Sequence, residues 1–81
     1  DRRAELAPLK RAMQACEQRL EKIGAEIIAL DAVLAAADVY VRDPVKAQRA
    51  GEARGKLSKA LIEAEEEWIA ATEAYELASV E

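Results

Sequence analysis

At 81 residues the chain has room for one small domain, and its hydrophobic share of 52% includes no Phe and only 4% aromatic residues, so a thick globular core is excluded. Charged residues make up 35% with a net charge of −4, a balance that argues against tight duplex binding. There is no histidine, hence no imidazole base or ligand, and two prolines and three glycines leave few places to turn.

No apolar run approaches the roughly 20 residues needed to span a bilayer, and the opening Asp1-Arg2-Arg3 carries no signal-peptide pattern. The start reads as a cut from a larger protein. A single cysteine without a disulfide partner fits a reducing compartment, and we expect a cytoplasmic location. Ala, Glu, Lys, Leu and Arg dominate, which with helical periodicity is the profile of long helices or a coiled coil.

The expected fold class is all-α, an antiparallel two-helix coiled-coil hairpin. The first helix is expected over residues 6–37, a turn over 38–43 and the second helix over 44–78. In the first helix Leu6, Met13, Leu20, Ile27 and Leu34 occupy heptad position a, and Leu9, Cys16, Ile23, Leu30 and Ala37 occupy d. No polar residue interrupts that seam. Pro8 suits a first helical turn, which places the start near Leu6 to Pro8. Gly24 falls at e, beside the seam, where a missing side chain allows close approach.

Asp38 to Asp43 form the turn. Val39 and Val41 are β-branched and weaken a helix, and the Tyr40 ring is expected to fold over the last seam layer. Asp43 is a good N-cap and Pro44 a good first residue for the second helix. There Ala47, Arg54, Leu61, Trp68 and Tyr75 take a, and Ala50, Leu57, Ala64, Ala71 and Ala78 take d. Folding at the turn sets Leu34 against Ala50, Ile27 against Leu57, Ile23 against Leu61 and Leu20 against Ala64. Farther out, Cys16 meets Trp68, Met13 meets Ala71 and Leu9 meets Tyr75. Large residues mostly oppose small ones, as close packing requires. Arg54, opposite Leu30, is expected to reach Asp31.

The seam residues ending in Leu34, then Asp38-Val39-Tyr40, Asp43-Pro44, Leu57, Leu61 and Glu65-Glu66-Glu67-Trp68, resemble the C-terminal coiled-coil domain of ABC-F proteins. These are tandem-cassette ATPases of the ABC transporter superfamily, including the Uup-like and YheS-like members. Ala7-Pro8-Leu9-Lys10 and Trp68-Ile69-Ala70-Ala71-Thr72-Glu73 resemble the YheS-like branch in particular. The resemblance implies a parent ATPase with ATP and magnesium as cofactors, no membrane span, and work on the ribosome; in Uup-like members this coiled coil is associated with DNA binding. The segment itself holds no Gly-x-x-x-x-Gly-Lys-Ser/Thr loop, so no catalytic or nucleotide residue is carried over and no cofactor is expected in it.

Chemistry is poorly supported by the residues. Cys16 lies on the seam without a base and reads as a structural thiol. Glu63, Glu65, Glu66 and Glu67 fan around a helix and read as a solvated acidic face rather than a metal site. Trp68 and Tyr75, seven residues apart, read as core packing rather than a base-stacking platform.

Charge is more informative. Arg42, Lys46, Arg49, Arg54, Lys56 and Lys59 cluster after the turn against only Asp43 and Glu52. Beyond them Glu63, Glu65, Glu66, Glu67, Glu73, Glu76 and Glu81 stand with no base. The candidate nucleic-acid-binding residues are Arg42, Lys46, Arg49, Lys56 and Lys59. A phosphate backbone would offset the unfavourable place of Lys46 and Arg49 near the positive end of a helix dipole. A second feature is a strip of Ile28, Ile62 and Ile69, all at b, as a candidate protein-docking surface. Two readings follow: an arm that contacts ribosomal RNA or DNA, or a structural module that docks on its own ATPase domains or self-associates. Neither involves a membrane or a small-molecule ligand.

Overall fold

The structure, a computed structural model, describes residues 1–80. Those residues form three helices and no strand: α1 (Arg2–Ala35), α2 (Val39–Arg42) and α3 (Pro44–Ser79). The molecule is a rod of 61 × 15 × 14 Å, two helices wide. Its length follows from the roughly 1.5 Å rise per residue of helices this long.

The first helix begins earlier than its proline suggests. The Asp1 carboxylate accepts a hydrogen bond from the Arg3 backbone N–H at 3.1 Å, and Glu5 N–H donates to the Asp1 carbonyl at 3.1 Å. That cap nucleates a turn ahead of Leu6, so Pro8 lies inside α1 rather than at its start. The absent Pro8 N–H leaves the Ala4 carbonyl without its usual intrahelical donor. α1 also ends two residues before the expected Ala37. Ala36 is extended (φ −62°, ψ 120°), and Ala37 is exposed outside the helix and takes no place on the seam.

The turn holds a one-turn helix where only a connection was expected. Arg42 N–H donates to the Asp38 carbonyl at 2.8 Å and Asp43 N–H to the Val39 carbonyl at 3.0 Å. This winding directs Val39 inward, at 7% exposure, and leaves Tyr40 61% exposed. The expectation that Tyr40 plugs the last seam layer is therefore corrected: Val39 is the plug, because the bonds of α2 set the phase of its residues. Asp43 then caps α3, its carboxylate accepting from Lys46 N–H at 3.1 Å, with Pro44 following as the first helical residue.

Cross-helix bonds join rising residue numbers on α1 to falling numbers on α3. The Arg2 guanidinium donates to the Ala78 carbonyl at 2.9 Å, Arg19 pairs with Glu67 at 2.6 Å, and Asp31 pairs with Arg54 at 2.9 Å. The core between them contains Ile23, Ile27 and Ala64, with Leu20, Leu57, Ala60 and Leu61 packed against it. Near the turn Val39, Ala47 and Ala50 are also buried. At the terminal end Leu6, Leu9, Met13, Cys16, Trp68, Ala71, Tyr75 and Ala78 are only half-buried. The packing is thus tightest in the middle and at the turn.

Gly24 does not serve a close approach. A Cβ built there, or at Gly51 or Gly55, would meet nothing within 4 Å, so the space beside the seam is open. Arg54 reaches the carboxylate expected of it. Its Nε donates to Asp31 Oδ1 at 2.9 Å and its Nη2 to Oδ2 at 3.5 Å, while Nη1 donates to the Ser58 hydroxyl. A guanidinium at a seam position is tolerated because it leaves the seam by its long stem and spends its donors at the edge.

Candidate nucleic-acid interface

The five candidate cations sit on two successive elements. Arg42 closes α2, Lys46 lies in the first turn of α3, Arg49 follows about a turn later, and Lys56 and Lys59 stand farther along. All five side chains belong to exposed residues. Arg42 differs from the others, because its guanidinium lies 3.0 Å from the Asp38 carboxylate, one turn back along the chain. Among the described residues no carboxylate comes within ion-pair distance of Lys46, Arg49, Lys56 or Lys59.

The carboxylates around them explain this. Asp31 is held by Arg54, Asp38 by Arg42, and Asp43 is spent on the cap of α3. Glu52 accepts from the Gln48 amide at 3.3 Å. Glu26 lies across a groove from Lys56 without pairing to it. Asp31, Asp38 and Asp43 are therefore engaged elsewhere, and Lys46, Arg49, Lys56 and Lys59 face water.

Beside these cations the α1–α3 seam opens into two adjoining shallow grooves that share Leu30. One, of about 470 Å³, is lined by Leu30, Val33, Val45, Lys46, Arg49 and Ala50, with Asp43 at its end. The other, of about 500 Å³, is lined by Glu26, Ala29, Leu30, Ala53, Lys56 and Leu57. Lys46, Arg49 and Lys56 thus share one side of the rod, as their c and g heptad positions require. Lys59, at f, stands apart from both grooves.

The Ile28, Ile62 and Ile69 side chains are 72%, 59% and 49% exposed, so all three candidate docking residues do face solvent. Their b positions put them on the side opposite the grooves, where Gly24, Gly51 and Gly55 also fall. The residues that could carry chemistry are placed otherwise. Cys16 is a half-buried free thiol. Trp68 and Tyr75 are half-buried in the seam, and the Trp68 Nε1 and Thr72 Oγ1 atoms are buried without a hydrogen-bond partner. Glu63, Glu65, Glu66 and Glu67 are exposed, Glu67 being held by Arg19. Among the described residues no three cysteine or carboxylate side chains are grouped to hold a metal ion. Glu81 lies outside the described residues.

Sequence reasoning missed two features of this end. The Arg42–Asp38 pair was available as an i,i+4 spacing, but the turn was read as non-helical. The exposure of Tyr40 had no signal in composition or heptad, since it depends on the winding of α2.

Among the described residues no helix is long and apolar enough to cross a membrane. Searches of curated proteins and of solved structures found no match. The family of ABC transporter C-terminal domains matches over residues 8–73, which takes in most of the seam, the turn and the whole basic stripe. That family describes a small helical C-terminal domain rather than a catalytic one. The chain belongs to the ABC transporter C-terminal domain family.

Proposed function

We propose that this chain is an antiparallel coiled-coil hairpin serving as the accessory C-terminal domain of an ABC-F type ATPase of the Uup-like or YheS-like branch, and that it contacts nucleic acid weakly through Lys46, Arg49, Lys56 and Lys59, with Arg42 contributing at the turn. The observation that carries this reading is the lack of carboxylate partners for the four α3 cations while the neighbouring acids are engaged elsewhere. Phosphates would supply the missing counter-charge, and contacts of that kind give binding that is weak, sequence-independent and salt-dependent. The ligand is ribosomal RNA or DNA, the setting is cytoplasmic, and ATP and magnesium act on the cassettes of the parent chain rather than here. Reversal of Lys46, Arg49 and Lys56 to glutamate tests it. Fluorescence anisotropy with labelled RNA and duplex DNA at low salt should show loss of binding, with helicity by circular dichroism unchanged. Retained binding by the triple variant would reduce the stripe to a solvated surface.

The exposed Ile28, Ile62 and Ile69 favour a second reading, in which the hairpin docks on its own ATPase domains or self-associates. A mass that rises with concentration in the absence of nucleic acid, and returns to the monomer value in Ile62→Ser, would support self-association. A constant monomer mass would leave only the ATPase domains as the partner.

A further inference from the structure

We infer that the turn end selects single-stranded over duplex nucleic acid, with the Tyr40 ring stacking on an unpaired base while Lys46 and Arg49 hold neighbouring phosphates. This rests on the nucleic-acid reading above and names its substrate class. Of the three aromatic residues in the chain, Trp68 and Tyr75 are half-buried in the seam, and Tyr40 alone is exposed, at the extreme end of the rod. Val39 fills the inward face of α2, so packing within the chain uses none of the Tyr40 ring that remains in water. The Tyr40 hydroxyl makes no hydrogen bond among the described residues. Val41 and Val45 beside it are 85% and 54% exposed, which gives the tip an apolar surface next to unpaired cations.

The perch is pre-ordered. Backbone bonds from Arg42 to Asp38 and from Asp43 to Val39, the Arg42–Asp38 ion pair and the Asp43 cap fix α2 against the start of α3. The rod is only 15 × 14 Å across, so the ring, Lys46 and Arg49 one turn on are within reach of a few consecutive nucleotides. In a duplex the base faces are hidden in the stack, and only phosphates are offered to such a tip. An unpaired base offers its whole face, and stacking on an aromatic ring is tolerant of base identity. Apolar tip and cation stripe together therefore match a flexible strand better than a double helix.

The test is anisotropy of the full 81-residue chain with a labelled single strand and with the duplex it forms with its complement, at matched low salt. The parent should bind the single strand more tightly. Tyr40→Ser should weaken single-strand binding about fivefold or more and leave duplex binding unchanged, whereas Tyr40→Phe should keep the preference. Circular dichroism should show unchanged helicity in both, since the ring is exposed. Equal loss on both ligands, or no loss on either, overturns the stacking role and leaves the stripe reading standing. Absence of any binding by the parent overturns both.

Discussion

Three glycines stand on long helices in places where a side chain would meet nothing within 4 Å. Each then carries the full entropic cost of glycine in a helix without a compensating close contact. Gly24→Ala should stabilise the chain by about 1 kcal/mol, and adding Gly51→Ala and Gly55→Ala should bring the total to roughly 2–3 kcal/mol, since the sites share no partners. Thermal melting followed by circular dichroism would register the triple variant as a rise of about 10 °C or more. A fall would mean that another molecule, or a closer helix approach, uses that open space. Thr72 offers a second test at this scale. Its hydroxyl is buried without a partner, so Thr72→Val, which removes the polar atom and keeps the shape, should stabilise by about 1 kcal/mol. Destabilisation would reveal a partner for Thr72.

Along the helices the packing is uneven. The middle of the seam buries Ile23, Ile27 and Ala64, whereas the terminal end has only half-buried residues and an orphaned Trp68 N–H. Ile27→Ala should therefore cost about 3 kcal/mol, and Leu20→Ala, at the edge of the same cluster, about 2 kcal/mol. Met13→Ala toward the terminal end should cost less than either. Urea unfolding of the three variants would rank them, and equal costs would contradict the graded core. A two-helix rod has little stability to spare. This seam was legible in the sequence because a seven-residue repeat survives any detail of local structure: every expected α3 seam residue is at least half-buried, and Ala37 is the one α1 seam residue that is not. The turn was not legible in the same way. Whether Val39 or Tyr40 faces inward depends on the phase of a four-residue helix, which β-branched propensities alone argued against. Likewise the Asp1 cap outweighed the proline signal at Pro8, because a helix can absorb one missing N–H near its start.

At the scale of the whole molecule the charge of α3 is divided along the rod, while α1 carries Arg2, Arg3, Lys10, Arg11, Arg19 and Lys22 toward the termini. Arg42, Lys46, Arg49, Lys56 and Lys59 lie toward the turn, and Glu63, Glu65, Glu66, Glu67, Glu73 and Glu76 lie toward the termini. The stripe itself was legible from sequence, since clustering along one helix is a matter of spacing. That Lys46, Arg49, Lys56 and Lys59 lack carboxylate partners was not, because it required knowing that Asp31, Asp38 and Asp43 spend their oxygens on Arg54, Arg42 and the α3 cap. Because acids outnumber these bases at the terminal end, the rod should still orient with its turn toward a polyanion and its terminal end away. The most direct measurement of this account is the salt dependence of single-strand affinity. Engagement of the four unpaired α3 cations predicts a slope of log K against log salt of about −3. Reversal of Lys46, Arg49 and Lys56 should flatten that slope toward zero along with the loss of affinity. A parent chain that binds with no salt dependence, or a triple variant that keeps the parent's slope, would contradict it.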